Sequence, residues 1–529
     1  MRSGMTNAEP SKARQTAAGS PQGSAAHQCR RTNGWHALTV VILHSSFVIS
    51  ATAAPPGLEN IFPAGGQAGT RVECIVAGKG LETGSPIAWS NHPGLVLLAG
   101  DKPKKFNATI AKNVPPGPYL VRFHTHEGST PPRIFVVGQF TESLEKEPND
   151  VLADAKTAEA MMNVTINGVL AKAGDVDTHA IRVQKGKTIT LELHGYALGS
   201  PMDPAMRLLN ERGVEIAAGH DTHNLDPRIE HTPTADGTMF AQVFAFAHPP
   251  AADVALKGSA NHVYRLTVTD EPKKPAPASE PKTLTVPATV PGSIGKPDEE
   301  DAFTFTAKKG DDLAIAVRAQ SMRSPLDATL RVEDAEGKVL TQTDDGENLD
   351  PVLRWKAPKD GDFKLVVSDR FHAGSTDHLY EMSLKTFVPT IAATLDTHAY
   401  LVESGKTTEV KLTVKTNGTF AGKIQARAVQ LPAGVTADAV DVPAKGGEVK
   451  LTLKAAAEAI ASQAPFAIEV ITSAPDVLQT ITARYLIPFT EPRGDLLIVH
   501  DSSPWLTLTA KPPAKKTPPP AKVEAKKAP

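Results

Sequence analysis

The residues best placed to do chemistry lie in Gly219-His220-Asp221-Thr222-His223-Asn224-Leu225-Asp226, two imidazoles and two carboxylates within one short segment. If that loop converged, its nitrogens and oxygens would suit zinc. A second segment, Asp344-Asp345-Gly346-Glu347-Asn348-Leu349-Asp350, ends in the same Asn-Leu-Asp but puts carboxylates where the first has histidines. Oxygen-only ligands around a glycine suit a hard cation such as calcium, held by six to eight oxygens at about 2.3–2.6 Å. Asp327 could contribute from the preceding turn, as could Asp203 before the first segment. The calcium candidates are therefore Asp203, Asp221 and Asp226, and Asp327, Asp344, Asp345 and Asp350. The competing reading is turn chemistry, in which Asp and Asn bond nearby backbone at strand ends. Both readings stand at this point.

Two weaker clusters carry bland alternatives. Asp298-Glu299-Glu300-Asp301 could attract a cation, yet a charge run before a strand is usually a solvated edge. His124 and His126 share one face of an expected strand, a spacing that suits a metal but equally two exposed side chains. The chain has no Gly-x-Ser-x-Gly, no His-Glu-x-x-His and no Walker-type phosphate loop. No enzyme is expected from these residues.

The elements that must position these groups repeat. Ser200-Pro201-Met202-Asp203 returns as Ser324-Pro325-Leu326-Asp327, and Asn224-Leu225-Asp226-Pro227 as Asn348-Leu349-Asp350-Pro351, each 124 positions later. Lys185-Gly186 and Lys309-Gly310 keep that offset, as do Asp236-Gly237 and Asp360-Gly361. Such constancy means two copies of one domain. Ile189, Leu191 and Leu193 alternate with polar residues, as do Leu313, Ile315 and Val317. Period-two alternation predicts half-buried strands and, with turn signals between them, antiparallel sandwiches of jelly-roll kind.

Length and composition agree. The 529 residues allow several domains, and 44 Pro with 39 Gly suit short strands joined by tight turns. A formal net charge of −2 gives no case for nucleic acid. Arg30-Arg31, the apolar run Leu38 to Val48 and Ala51-Thr52-Ala53-Ala54 have the three parts of a secretory signal, which predicts export. The run is too short to span a bilayer, so no transmembrane segment is expected in the mature chain; an uncleaved anchor is the alternative. A misassigned start codon could account for the featureless residues before Arg30. Cleavage near Ala53 would leave Cys74 without a partner, in an apolar setting that suits the core.

Several motifs also resemble known families. Glu145-Lys146-Glu147-Pro148-Asn149-Asp150, then Asn167-Gly168, Asp175-Val176-Asp177 and Lys185-Gly186, is similar to the bacterial pre-peptidase C-terminal (PPC) domain. The second copy has Pro291-Gly292, Asp298 to Asp301 and Lys309-Gly310 but lacks the Glu-Pro-Asn-Asp opening. Ile61-Phe62-Pro63-Ala64-Gly65-Gly66-Gln67-Ala68-Gly69-Thr70 resembles the start of IPT/TIG immunoglobulin-like domains, and Leu431-Pro432-Ala433-Gly434-Val435 resembles a turn of bacterial immunoglobulin-like modules. The expected organisation is a leader with signal peptide in 1–54, an IPT/TIG-like sandwich in 55–138 and PPC-like sandwiches in 141–271 and 272–385. An immunoglobulin-like sandwich in 386–502 and a disordered Lys/Pro/Ala tail in 503–529 complete it. The fold class is thus all-β, a multidomain string of antiparallel sandwiches. The resemblance implies accessory modules found beside secreted peptidases. The expected protein is a non-catalytic binding or adhesion protein for an envelope or extracellular polymer or protein, or else an accessory subunit of a separate secreted hydrolase.

Overall fold

A computed structural model describes residues 54–82, 86–156, 158–222, 225–247, 254–271, 283–322, 324–346, 349–420, 422–473, 478–485 and 501–510. The leader to residue 53, His223, a strand expected in Asp495 to His500 and the Lys-rich segment from Lys511 lie outside these residues.

The regular structure of the described chain is almost all β, in mostly antiparallel sheets arranged as sandwiches. In the first, a sheet ordered Asn60–Phe62, Arg71–Ala77, Lys105–Ile110, Leu95–Ala99 faces one ordered Gly65–Gln67, Arg133–Gly138, Gly117–Thr125, Ile87–Ser90. Cys74, Phe106, Phe123 and Phe135 fill the space between them. The two central strands of the second sheet are covered on both faces: Leu120, Val121, Arg122 and Phe123 are consecutive buried residues, as are Ile134 and Phe135. Their runs of consecutive buried residues, interrupted in polarity only by Arg122, are what a doubly covered strand requires.

The second sandwich pairs the sheet Thr141–Leu144, Val164–Val169, Val263–Thr269, Ile189–His194, Arg228–His231 with the sheet Asp177–Val183, Gly237–Ala247, Met202–Leu209, Glu215–His220. In the third, Ala288–Ser293, Leu379–Thr386, Asp312–Arg318, Val352–Lys356 face Glu300–Ala307, Gly361–Asp369, Ala328–Asp334, Val339–Thr343, in the same strand order. Ile189, Leu191 and Leu193 point into one core, Leu313, Ile315 and Val317 into the other. The repeated turn motifs meet each other. The Lys185 N–H donates to the Asp236 carboxylate at 2.7 Å, and Lys309 N–H to Asp360 at 2.6 Å, so each Lys-Gly turn is tied to its Asp-Gly turn.

The two sandwiches differ at their leading strand. Thr141–Leu144 pairs parallel with Val164–Val169 in one sheet, whereas Thr283–Leu284 pairs parallel with Glu300–Ala307 in the opposite sheet. This change of side decides where the acidic opening of the second sandwich can reach.

The fourth sandwich contains a five-stranded, a four-stranded and a three-stranded sheet. The last is ordered Ala399–Glu403, Trp505–Thr509, Ser462–Pro465. Strand structure therefore continues past 502, where the tail was expected to begin. Trp505, Leu506 and Leu508 are apolar and at most 2% exposed, so burial holds this strand in place.

Candidate metal centre

The densest set of buried polar groups lies at the start of the second sandwich. The strand Thr141–Leu144 delivers Glu145, and the chain then passes through Glu147, Asn149 and Asp150. Asp175 precedes the strand Asp177–Val183, on which Asp177 and His179 share a face. One ligand atom from each of Glu147, Asp175 and Asp177 lies within 4.8 Å of the others, and Glu145, Asp177 and His179 form a second such group. Asp177 joins the two.

A hydrogen-bonded chain aims this shared carboxylate. His179 Nε2 lies 2.7 Å from the Tyr264 hydroxyl, which donates to Asp177 Oδ2 at 2.7 Å and lies 3.1 Å from Glu145 Oε2. Burial lowers the His179 pKa to about 4, which keeps the ring neutral. Gly168 makes room for the arrangement: a Cβ there would lie 2.2 Å from the Tyr264 ring and 2.4 Å from Glu145 Oε2.

Several oxygens are then left over. Asp177 is 0% exposed and Asp175 1%, yet Oδ1 of each has no hydrogen-bond partner among the described residues, although Asp175 Oδ1 lies 3.6 Å from the Lys172 ammonium. Asp150 Oδ1 and both side-chain polar atoms of the buried Asn149 are in the same state. The opposite oxygens are engaged, Asp175 Oδ2 by the Ala171 N–H at 2.5 Å and Asp150 Oδ2 by Lys172 at 2.9 Å. Buried polar atoms without partners are costly. Burial, and then the charge of Glu145, raise the Asp177 pKa to about 9. Carboxylates that converge as Glu147, Asp175 and Asp177 do can hold a hard cation. The His–Tyr pair would act behind the ligands, orienting Asp177.

The third sandwich lacks this set. Asp301 stands 124 positions after Asp177 and accepts from the Tyr380 hydroxyl at 2.5 Å, repeating the Tyr264 contact, and Gly292 lies beneath Tyr380 as Gly168 lies beneath Tyr264. Phe303, however, replaces His179, and the leading strand runs in the other sheet.

The seven aspartates singled out in the sequence divide into three sets. Asp226 accepts from the backbone N–H groups of Gly195, Tyr196 and Ala197 at 2.9–3.0 Å, and Asp350 from those of Ala319, Gln320 and Ser321 at 2.8–3.1 Å. Both side chains cap a short 3-10 turn and spend their two oxygens on backbone. Asp203 and Asp221 flank His220, at 3.3 and 3.6 Å, in a surface triad. Asp344 and Asp345 lie 3.1 and 3.7 Å from Arg370, and Asp327 senses the same guanidinium. Of the other clusters, Glu300 pairs with Arg331, Asp298 lies 3.2 Å from His372, and His124 packs on Trp505 while His126 stays exposed. Sequence reasoning placed no metal ligands at 145–177. The signal was there: Glu145-x-Glu147 and Asp175-x-Asp177 each put two carboxylates on one side of extended backbone.

No family model matches the chain. A "probable subtilase-type serine protease" of Deinococcus radiodurans is 41% identical over 76 residues, 14% of this chain and 10% of that protein. The chain thus spans about a tenth of the length of this curated relative. Among solved structures, the pre-peptidase C-terminal domain of a Bacillus anthracis collagenase is 19% identical, covering 20% of this chain and 97% of that one, with a TM-score of 0.17. A Bacteroides ovatus mixed-linkage glucan utilization protein, SGBP-B, solved with a mixed-linkage heptasaccharide, is 11% identical, with 61% and 72% covered and a TM-score of 0.14. Escherichia coli alpha-2-macroglobulin activated by porcine elastase is 12% identical, with 84% and 52% covered and a TM-score of 0.16.

Proposed function

We propose that this chain is an exported, non-catalytic binding protein whose two central sandwiches are tandem PPC-like copies, flanked by IPT/TIG-like and immunoglobulin-like modules. The first copy holds calcium at the Glu145–Asp177 cluster and engages an envelope or extracellular polymer or protein through the outward face of its four-stranded sheet.

One observation carries the binding reading. On that outward face Phe244 and Phe246 stand in neighbouring positions of one strand, their rings 5.9 Å apart. Arg207 lies over Phe244 at 5.4 Å and donates to Gln242 at 2.8 Å. His220 meets the edge of Phe246, 6.3 Å away, beside Asp203. Leu152 and Ala155 cover the other end of the sheet, packing on Ala180, Leu209 and Phe240. An aromatic pair bordered by hydrogen-bonding side chains is how a flat sheet face takes a ligand. The fold does not need the patch. At the matching positions the third sandwich carries Ser368 and Arg370, and the face is tied by ion pairs instead, while the caps Asp226 and Asp350 persist.

The test is cosedimentation of the chain with purified envelope fractions and insoluble extracellular polymers, comparing wild type with the double variant Phe244→Ala/Phe246→Ala. Wild-type retention that falls about tenfold or more in the variant, with unchanged melting, supports the proposal. Equal retention, or none by wild type, overturns it. The likeness to the Deinococcus protease favours a second reading, an accessory subunit of a separately encoded secreted peptidase. That reading predicts co-purification with a peptidase and altered cleavage of its substrate.

A further inference from the structure

The first and fourth sandwiches meet at a buried charge that neither could hold alone. Arg122 sits mid-strand in Gly117–Thr125, on the face turned away from its own core, and is 0% exposed. Its guanidinium lies over the rings of Trp89, Tyr485 and Trp505 at 5.3, 5.7 and 5.7 Å. It donates to the His398 carbonyl at 3.2 Å and to the Tyr485 hydroxyl, and lies 3.5 Å from the Asp501 carboxylate. Tyr485 in turn donates to Asp501. Only Trp89 of these partners belongs to the first sandwich.

The contact extends beyond the charge. Trp505 meets Trp89 edge-on at 6.0 Å and packs on His124 at 4.6 Å. Gln463 accepts from the Trp505 indole at 3.1 Å while its amide donates to the Thr125 carbonyl. Leu120 and Ile134 belong to the same contiguous apolar cluster as Tyr485, Leu506 and Leu508. Without Tyr485 and residues 501–509, the first sandwich would expose two indole-contact positions around an uncompensated arginine, and a buried cation left without its anion is strongly unfavourable.

We infer that Asp501–Thr509 is a strap that locks the first and fourth sandwiches into one mechanical unit, with Arg122 as its catch and Trp505 as its anchor. The strap enters as the middle strand of the Ala399–Glu403, Trp505–Thr509, Ser462–Pro465 sheet, so it is knitted to the fourth sandwich by backbone and to the first by side chains. The lock reaches the second sandwich as well. Arg133, on the same sheet, donates to the Gly199 carbonyl, and Asn60 donates to Asn261 at 2.6 Å. The strap therefore fixes the frame from which the second sandwich is presented. This inference is independent of what the second sandwich binds.

The test is single-molecule energy transfer between dyes on the exposed positions 79 and 423 of the full chain (K79C and K423C with C29S), Cys74 being too buried to label. Wild type should give one narrow distribution. Arg122→Ala and Trp505→Ala should each raise the open population about a hundredfold, the expected consequence of leaving one side of a buried charge pair uncompensated or unpacked. Trp505→Phe should keep the closed distribution. Calorimetry separates opening from misfolding, because the transition of the third sandwich should remain at its wild-type temperature in every variant. The milder Gln463→Ala should give intermediate opening if the alanine variants fold poorly. A broad wild-type distribution, or Arg122→Ala and Trp505→Ala proteins that fold and stay closed, would overturn the inference.

Discussion

Replacing Asp177 by Asn should stabilise the protein in chelator and destabilise it, relative to wild type, in calcium. Without a cation the Asp177 carboxyl is raised from 3.8 to about 9 by its burial and by Glu145. The folded state then keeps a proton that the unfolded chain has released, so stability falls as pH rises from about 4 towards 9. At pH 7 the penalty is up to about 4 kcal/mol, at roughly 1.4 kcal/mol for each pH unit above the unfolded pKa. Calcium removes the penalty by taking the proton's place among the same oxygens. At a hundredfold excess over its dissociation constant it adds about 2.7 kcal/mol, or about 10 °C for a domain of this size. The amide that D177N introduces still accepts from Tyr264 but carries no charge. Calorimetry from pH 5 to 8 in EDTA and in calcium reads all of this. Wild type in EDTA should lose stability with rising pH, D177N should not, and the calcium shift should grow with pH in wild type alone. A wild-type melt that calcium leaves unchanged at pH 7.5, or a D177N protein that keeps the calcium shift, would show this linkage to be wrong.

Other perturbations should behave differently. Gly168→Ala drives a Cβ into the Tyr264 ring, so it should lower the melting temperature of the second sandwich by the equivalent of about 1–3 kcal/mol and weaken the calcium shift with it. Asp226→Ala and Asp350→Ala each leave three backbone N–H groups without acceptors, and each should cost about 3 kcal/mol in chemical denaturation, with the calcium shift of the second sandwich intact in Asp350→Ala. The Cys74 thiol is 0% exposed and burial pushes its pKa up to about 12, so a thiol reagent at pH 8 should modify it only as fast as the first sandwich unfolds.

Much of the fold can be read from residue order because antiparallel sheets write themselves into sequence as alternation. The offset of 124 places Ile189 and Leu313, or Asp226 and Asp350, in equivalent positions, and the second and third sandwiches use them alike. Two things escape such reading. The offset falls to 116 at Tyr264 and Tyr380, so the tyrosines that organise Asp177 and Asp301 do not align in a fixed-offset comparison. The side on which the leading strand runs is set by long-range pairing, and that choice brings Glu145 and Glu147 to Asp175 and Asp177 across about 30 positions of chain. Loop 219–226 drew attention because its polar residues are consecutive. The buried cluster had the stronger physical claim, since burial rather than density makes polar oxygens expensive. Arg122 was equally hidden: a lone arginine within Leu-Val-Arg-Phe looks like the solvent side of a strand until the fourth sandwich covers it.

If the chain's chemistry resides in the buried acidic cluster of the second sandwich, the exposed loops serve only as turns and surface. Elemental analysis of bound calcium after dialysis separates the two. Wild type should retain one calcium per chain, Asp345→Asn should retain one as well, and Asp177→Asn should retain none. Calcium kept by Asp177→Asn and lost from Asp345→Asn would move the site to the exposed loop of the third sandwich.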